Sequence, residues 1–353
     1  LEAFQAQTDR DLQSRSQALE GVRVSGTVTL EADYEETDNL AGMIPGKGQL
    51  ADEFVVIGAH YDHLGMGGSS SMRPNEEAIH NGADDNASGT IAVLHAAERL
   101  QQQLGASSNH RTVVIALFSA EETGLAGSSF LVDNAPFPVD SVVAMLNLDM
   151  VGRLRDNTLV ALGSESADEW ASALEQVAAE QGLEITQRGD GYGPSDQTSF
   201  YARQIPVLHF FTGAHEEYHS PEDDAATINA AGAVKVIEVT AAIGQQLASG
   251  QLNPTYRQAA AAPAMGGDSR GYGAYLGTVP DYRAMEASEG GVLLGDVRPG
   301  GPADLAGIRG GDTIVGMAGT TIENLMDMTY ALQDNKPGDT IDVVILRDGE
   351  RLT

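Results

Sequence analysis

Three short segments of this chain bring together side chains that bind divalent metals and transfer protons. They are His60-Tyr61-Asp62-His63-Leu64-Gly65, Gly82-Ala83-Asp84-Asp85-Asn86-Ala87-Ser88-Gly89 and Ser119-Ala120-Glu121-Glu122-Thr123-Gly124. The chain has no cysteine, so histidine and carboxylate groups are its strong metal ligands. Each segment follows an apolar, β-branched run, where an α/β sheet ends and exposes residues to a ligand crevice. Together they predict the chemistry of a two-metal hydrolase.

In the first segment, His60 and Asp62 are two residues apart at the end of a predicted strand, so both can point to the same side. A metal-bound imidazole needs an acceptor on its second ring nitrogen, and Asp62 suits that role. A single histidine at a strand end is more often only hydrogen-bonded, but the neighbouring segments favour a ligand. His63 and His80 flank the segments and are candidates to line the site, but neither is assigned as a ligand.

The second segment offers a bridging carboxylate. Two metals about 3.5 to 4 Å apart require a ligand that touches both, and a carboxylate can do this. Asp85 is assigned to the bridge, and Asp84 to support of the backbone or of a helix cap. The competing interpretation is that this Asp-Asp-Asn run only caps the helix that begins at Gly89.

In the third segment, Glu121 and Glu122 follow a predicted strand directly, so the two carboxylates can serve different purposes. One can ligate a metal while the other stays free to accept a proton and deliver it to a leaving amine. The alternative is a solvated acidic pair at a helix start.

Two later positions complete the candidate set. Asp149 follows the apolar run Val142 to Leu148, where packing alone hardly explains a carboxylate. The segment Tyr218 to Asp223, which contains His219, supplies a last candidate ligand, and His215 is the competing choice. Core or surface roles are expected for the remaining histidines, which are His95, His110 and His209.

Strands alternating with helices predict an α/β layered domain that ends near residue 249. The expected strands are Val22 to Tyr34, Glu53 to Ala59, Thr112 to Phe118, Ser141 to Leu148, Thr158 to Leu162 and Pro206 to Phe211. The expected helices are 3 to 20, Gly89 to Gln103, Ala167 to Gln181, Asp196 to Ala202 and Ala225 to Leu247. The Gly-rich loop Gly189 to Asp196 is interpreted equally well as a pocket wall or as an ordinary turn.

A Gly-, Ala- and Pro-rich stretch predicts a linker over 250–272, which divides a region 1–249 from a region 273–353. In the second region short apolar runs alternate with Gly and Pro turns, as in a small β-rich barrel.

Composition excludes several classes of protein. The 353 residues include 51 acidic and 20 basic side chains, and the net charge of −31 argues against a nucleic-acid partner. No apolar run approaches the roughly 20 residues of a membrane-spanning helix. The chain opens with Leu1-Glu2-Ala3 and no apolar leader, so any targeting peptide is expected to have been removed or to lie outside this sequence.

With these residues in hand, the chain resembles the di-zinc aminopeptidase family that includes secreted bacterial leucyl aminopeptidases and glutamate carboxypeptidase-like proteins. The order and spacing of the segments match over residues 50 to 223. The resemblance implies a three-layer mixed-sheet domain, two zinc ions per chain and secretion or a periplasmic location. It implies zinc ligands at His60, Asp85, Glu122, Asp149 and His219. It also implies Glu121 as general base, Asp62 as orienting carboxylate and Tyr218 as hydrogen-bond donor to the tetrahedral intermediate.

The second region resembles a bacterial PDZ module. Gly300-Gly301-Pro302-Ala303-Asp304-Leu305-Ala306-Gly307-Ile308-Arg309-Gly310-Gly311-Asp312 matches its most recognisable stretch, and Tyr275-Leu276-Gly277-Thr278 stands at its carboxylate-binding loop. Such modules bind the C-terminus of an extended peptide along a sheet edge. The sequence stops where a last hairpin strand is expected to continue, so that strand is expected to be cut short.

The predicted function is that of a zinc exopeptidase acting on peptides, specifically an aminopeptidase. A carboxypeptidase or dipeptidase of the same superfamily is the alternative, with Arg153 as anchor for a substrate carboxylate. A non-catalytic peptide-binding scaffold is a further alternative, against which a free Glu121 argues. Cyclisation of N-terminal glutamine, as in relatives that use a single zinc, is another, against which the full set of five ligands argues.

Overall fold

The computed structural model describes residues 36–258, 276–280, 290–322 and 327–353, without positions 69, 74–75, 329–330, 333–334, 337 and 348. Three predictions therefore fall wholly or largely outside the described residues. They are the helix over 3–20, the strand Val22 to Tyr34 and the linker beyond residue 258. Tyr275 lies outside them as well.

A seven-stranded mixed sheet forms the centre of the first region. Its strands are β1 (Leu40–Ile44), β2 (Phe54–His60), β3 (Thr112–Phe118), β4 (Val142–Leu148), β5 (Thr158–Leu162), β6 (Glu184–Arg188) and β7 (Val207–Phe211). Their order is β1-β3-β2-β4-β7-β5-β6. The neighbours β3, β2, β4 and β7 run parallel, while β1 pairs antiparallel with β3 and β5 antiparallel with β7. The strands predicted within the described residues are confirmed to within a residue at each end, whereas β1 and β6 were not predicted.

Helices cover both faces of this sheet. They are α1 (Gly89–Leu104), α2 (Ala126–Asn134), α3 (Glu169–Gln181), α4 (Gln197–Tyr201) and α5 (Ala230–Ala248). On one face α1, α3 and α5 pack around a core that includes Leu100 and Trp170. On the other face α2 and α4 pack around Leu131 and Phe200. The predicted mixed α/β layers are thus confirmed.

The C-terminal region has a β-sheet and a hydrophobic core of its own. Its elements are β8 (Thr278–Pro280), β9 (Val292–Val297), the short helix α6 (Pro302–Leu305), β10 (Thr313–Met317), β11 (Thr320–Thr321), β12 (Val343–Arg347) and β13 (Glu350–Leu352). The described strands follow an open path, β13-β12-β10-β9-β8, so the predicted β-rich region is confirmed as an open sheet and not as a closed barrel. In the described parts of the chain, no helix has both the length and the apolar character needed to cross a membrane.

The parallel strands determine where the chemistry-bearing segments meet. β3, β2, β4 and β7 are neighbours, and each is followed by a segment that carries candidate residues. In open α/β sheets, ligands bind in the crevice outside the carboxyl ends of the strands. The segments around His60, Glu121, Asp149 and His219 therefore converge on one edge of the sheet.

Candidate metal centre

His60, Asp85 and Asp149 form a compact group of donors at this edge. His60 Nε2 lies 3.3 Å from Asp85 Oδ1 and 3.5 Å from Asp149 Oδ1. One ligand atom from each of the three residues lies within 4.8 Å of the others. The buried Oδ1 of Asp149 has no hydrogen-bond partner among the described residues. This group is therefore arranged to accept a cation.

A second group of donors shares Asp85 with the first. His219 Nε2 lies 3.2 Å from Asp85 Oδ2 and 3.1 Å from Glu122 Oε2. One carboxylate oxygen of Asp85 thus faces each histidine. Imidazole nitrogens and carboxylate oxygens suit divalent metals of the first transition row. The residues present suit a divalent metal, and Asp85 belongs to both groups of donors.

The backbone around Asp85 is held by a second, buried aspartate. Asp223 Oδ2 accepts hydrogen bonds from the main-chain N–H groups of Asp84 at 2.9 Å and Asp85 at 3.0 Å. Asp223 is fully buried, and it comes from the segment that carries His219. The two parts of the second donor group are therefore fixed relative to each other.

Asp84 and Asn86, the neighbours of Asp85, hold the backbone around the start of α1. Asn86 Oδ1 accepts from Gly89 N at 3.0 Å, at the start of α1. Asp84 Oδ1 accepts from Gly152 N at 2.6 Å, beyond the end of β4. A Cβ atom on Gly89 would lie 2.3 Å from Asn86 Oδ1, so the close approach here requires glycine. With Asn86 and Asp84 engaged in this way, the carboxylate of Asp85 faces the two histidines.

Asp62 makes contacts beyond the expected one with His60. Its Oδ1 accepts from Glu121 N at 3.1 Å, and its Oδ2 accepts from Glu122 N at 3.3 Å. His60 Nδ1 lies 3.1 Å from the main-chain carbonyl oxygen of Asp62 but 3.7 Å from its Oδ1. The carboxylate thus fixes the loop of the two glutamates, and the carbonyl is the nearer acceptor for the imidazole.

Three non-glycine residues at the site have a left-handed backbone. Ala120 has φ +54°, Met150 has φ +52° and His219 has φ +50°. Such conformations cost about 1 to 3 kcal/mol each and cluster at functional sites. All three are candidate site residues or their immediate neighbours. The backbone strain therefore lies at positions that orient the candidate ligand side chains.

The excess of carboxylates dominates the electrostatics of the site. Burial disfavours the charged imidazole of His219, but hydrogen bonds to Asp85 and Glu122 outweigh it and raise the pKa to about 10. Burial likewise opposes protonation of His60, yet Glu121 and Asp149 raise its pKa well above the usual value. Burial, together with Asp196 and Asp149, raises the pKa of the Glu121 carboxyl. The site therefore favours bound positive charge.

The other histidines are distributed as follows. His215 Nε2 lies 3.2 Å from Asp84 Oδ2, and no described ion pair or donor group joins it to Asp85. His63 Nδ1 lies 2.7 Å from Glu122 Oε1, and His63 forms a possible donor group with Asp85 and Glu122. His95 is exposed on α1, while His110 and His209 are buried. His80 is buried and its Nε2 lies 2.8 Å from Ser71 Oγ.

Tyr218 lies directly against the second donor group. Its ring stacks on that of His219, with centroids 3.9 Å apart and an interplanar angle of 21°. Burial, with the nearby carboxylates of Asp85 and Glu122, raises the pKa of the phenol. Tyr218 therefore keeps its proton and can act as a hydrogen-bond donor.

Sequence reasoning assigned no specific role to three residues that contribute to this site. His63 contacts Glu122, Asp223 holds the backbone of Asp85, and Asp196 is a fully buried carboxylate whose charge reaches Glu121. For His63, the repeated histidine in His60-Tyr61-Asp62-His63 was an available signal. Asp223 and Asp196 lie in segments that the sequence singled out, but their roles could not be derived because they arise from contacts between distant parts of the chain.

Comparison with known proteins identifies the family. Residues 39–244, more than half of the chain, match Peptidase family M28, and residues 283–353 match a PDZ domain. The chain therefore belongs to Peptidase family M28. Both family resemblances inferred from the sequence are therefore confirmed: the first region belongs to a zinc aminopeptidase family, and the second matches a PDZ domain.

Relatives of this chain are described as aminopeptidases. A probable leucine aminopeptidase from Arthroderma otae is 29% identical over 169 residues, covering 46% of this chain and 44% of the relative. Aminopeptidase YwaD from Bacillus subtilis is 29% identical over 218 residues, covering 58% of this chain and 43% of the relative. This chain thus spans less than half the length of these relatives. Among solved structures, BSAP, a zinc aminopeptidase from Bacillus subtilis, is 25% identical with a TM-score of 0.49, covering 60% of this chain and 50% of that one.

Proposed function

We propose that this chain is a zinc-dependent exopeptidase, specifically an aminopeptidase that removes N-terminal residues from peptides. The observation that carries the proposal is the position of Asp85, whose two oxygens face His60 at 3.3 Å and His219 at 3.2 Å. Membership of Peptidase family M28 and the aminopeptidase relatives support the same reaction class.

Two zinc ions per chain are proposed. His60, Asp85 and Asp149 would hold one, and Asp85, Glu122 and His219 the other. When bound, such ions supply Lewis acidity to a scissile carbonyl and lower the pKa of water. His63 lies against Glu122 and would orient this carboxylate.

Glu121 is proposed as the general base and acid. Its carboxylate would accept a proton from the attacking water and then protonate the leaving amine. Two features support this role: Asp62 holds the main-chain N–H of Glu121, and burial raises the pKa of its carboxyl, which favours proton uptake. Tyr218 would donate a hydrogen bond to the oxygen of the tetrahedral intermediate.

The charge of the site supports recognition of a free α-amine. Glu121, Glu122 and Asp149 surround the crevice with carboxylates, which attract an ammonium group. A carboxypeptidase would need a cation for the substrate carboxylate, and Arg153 was the candidate. Its Nη2 lies 3.5 Å from both Glu217 Oε2 and Asp223 Oδ1, so its charge is already compensated.

The PDZ-like region is proposed to bind peptide C-termini at Tyr275, Leu276, Gly277 and Thr278. The position of β8 at the end of the described strand path supports this, because an edge strand can accept an extended peptide. The division into 1–249, a linker 250–272 and 273–353 is part of the same proposal. So is a secreted or periplasmic location, which the resemblance to secreted aminopeptidases suggests.

A panel of substrates tests the proposed function. Zinc-loaded protein would be assayed with aminoacyl p-nitroanilides, their N-acetylated counterparts and N-blocked peptides with a free C-terminus. We expect hydrolysis of the free-amine substrates alone, because a blocked amine cannot carry positive charge into the acidic crevice. Cleavage confined to the N-blocked peptides would instead support a carboxypeptidase, and no cleavage with two zinc ions bound would support a scaffold.

Replacement of Asp223 by alanine is expected to weaken zinc binding. Two buried N–H groups, of Asp84 and Asp85, would lose their acceptor, so Asp85 would no longer be held between the histidines. Loss of such outer partners lowers metal affinity by about 10- to 100-fold. Zinc titration by calorimetry measures this, with the exposed Asp140→Ala as control. Unchanged zinc affinity in folded Asp223→Ala would contradict the positioning role.

A further inference from the structure

The loop 189–196, between β6 and α4, is contacted from outside by the C-terminal region. The hydroxyl of Tyr192 donates to Asp296 Oδ2 at 2.5 Å. Arg298 Nε lies 2.6 Å from Asp190 Oδ2. We call these four residues the loop anchor. It joins the region matched to Peptidase family M28 with the PDZ-like region.

The loop anchor is partly shielded from solvent. Asp190 is 6% exposed, and the side chain of Arg298 is 17% exposed. The ring of Tyr192 packs edge to face on Tyr201, with centroids 4.9 Å apart. Ion pairs on an open surface contribute little, but pairs removed from water define one geometry because misplacing either partner is costly. The contact between the two regions therefore resembles a packed interface more than a contact on an open surface.

On its outer side, the loop anchor is continuous with the proposed peptide-binding edge. Asp296 lies in β9 directly opposite Val279 of β8. The main-chain N–H of Arg298 donates to the carbonyl of Gly277 at 2.7 Å. Asp296 and Arg298 are thus each paired through the backbone with a residue of the segment Leu276–Pro280.

On its inner side, the loop is tied to α4 and to the end of β4. Gly193 N donates to Thr198 Oγ1 at 2.9 Å. Asn147 Nδ2 donates to Ser195 Oγ at 2.8 Å, and Asn147 stands two residues before Asp149 in the sequence. A Cβ atom on Gly191 would lie 2.3 Å from the Tyr201 ring, so the loop can hardly shift towards α4.

The loop ends beside the candidate metal centre. Asp196 is fully buried, and its neighbours Ser195 and Gln197 both accept hydrogen bonds from Asn147 Nδ2, at 2.8 Å and 3.0 Å. Asn147 stands near the end of β4, which Asp149 follows, so a displacement of the loop would alter the wall of the crevice at this edge of the sheet. The donors around Asp85 come from other segments and would keep their positions.

We propose that Asp190 and Tyr192 are positioning residues, through which the C-terminal region fixes loop 189–196 as a wall of the substrate crevice. The PDZ-like region is then a working part of the catalytic site and not only a separate peptide-binding module. The kinetic part of this inference rests on the proposed function. Since the metal donors are held elsewhere, loss of the loop anchor should weaken substrate binding more than turnover.

The test is a double-mutant cycle of Tyr192→Phe and Asp296→Ala in the full chain. Tyr192→Phe removes only the hydroxyl and keeps the ring against Tyr201. Hydrogen–deuterium exchange over 189–196 would be measured together with KM and kcat. We expect each single variant to raise KM by about 5-fold with kcat within about 2-fold, and the double variant to add little, because both changes break one contact.

The matched control is Arg99→Gln, which removes an ion pair of 2.6 Å between α1 and α5, away from the loop. It should change neither exchange over 189–196 nor KM. Faster exchange in the anchor variants supports the anchoring whether or not any peptide is cleaved, so failure of the proposed function would be seen separately. Unchanged exchange overturns the anchoring, and faster exchange with unchanged KM in an active enzyme overturns the positioning role.

Discussion

Replacement of Glu121 by glutamine is expected to lower the hydrolysis of a free-amine substrate by about 1000-fold, the range typical for loss of a general acid and base. Glutamine has nearly the same shape but cannot accept a proton. The hydrogen bond from the main-chain N–H of residue 121 to Asp62 does not involve the changed side chain. The loss should therefore appear in kcat, with the zinc content unchanged.

The same substitution should not destabilise the protein. Burial, with Asp196 and Asp149 nearby, raises the pKa of Glu121, so the ionised carboxylate is disfavoured in the folded state. A raised carboxyl pKa means that stability is lost as pH rises through the folded value, and a neutral amide removes this loss. Denaturant unfolding of metal-free Glu121→Gln at neutral pH should give an unchanged or higher free energy of unfolding.

Glu122→Gln provides the matched comparison. Glu122 Oε2 lies 3.1 Å from His219 Nε2, and we propose it as a zinc ligand. This variant should lose activity together with one of the two zinc ions, whereas Glu121→Gln should retain both. Equal loss of zinc in the two variants would contradict the separate roles of the neighbouring glutamates.

Replacement of Asp85 by alanine is the second change with a large expected effect. Asp85 faces both His60 and His219, so its removal takes one donor from each proposed metal position. We expect loss of measurable activity and of tight binding at both positions. Substitution of any other proposed ligand should affect one position more than the other.

Zinc-dependent stability measures this effect without an activity assay. A ligand present at 100 times its dissociation constant stabilises the native state by about 2.7 kcal/mol for each site. Wild type should gain this stability on addition of zinc, and Asp85→Ala should gain almost none. The exposed Asp140→Ala should behave as wild type. A full gain in Asp85→Ala would rule out Asp85 as the shared ligand.

The central strands could be predicted because their burial requires apolar residues along the whole strand. β2, β3 and β4 are parallel strands buried on both faces, and such strands consist of nearly continuous apolar runs. β1 is mostly exposed and β6 is at most half-buried, so neither has an apolar run to reveal it. α2 was missed because its sequence, AGSSFLVDN, has no clear helical repeat of apolar positions.

The residues of the candidate site could be predicted from the sequence, but most of the contacts between them could not. His60 ends a strand, Asp149 and His219 follow strands, and Asp85 precedes a helix; the parallel topology brings them together. The contacts of Asp62 could not be derived, because its carboxylate turns towards the loop after β3, about 60 residues further along the chain. Asp223 and the loop anchor likewise depend on pairings between distant segments that periodicity does not encode.

The most direct test of the two-zinc account is a titration of metal-free wild type with zinc while hydrolysis of an aminoacyl p-nitroanilide is recorded. Calorimetry on the same sample would count the bound ions. We expect activity to be absent without metal and to reach its maximum at two equivalents of zinc per chain. Full activity in the metal-free protein, or no activity after two zinc ions have bound, would contradict the account.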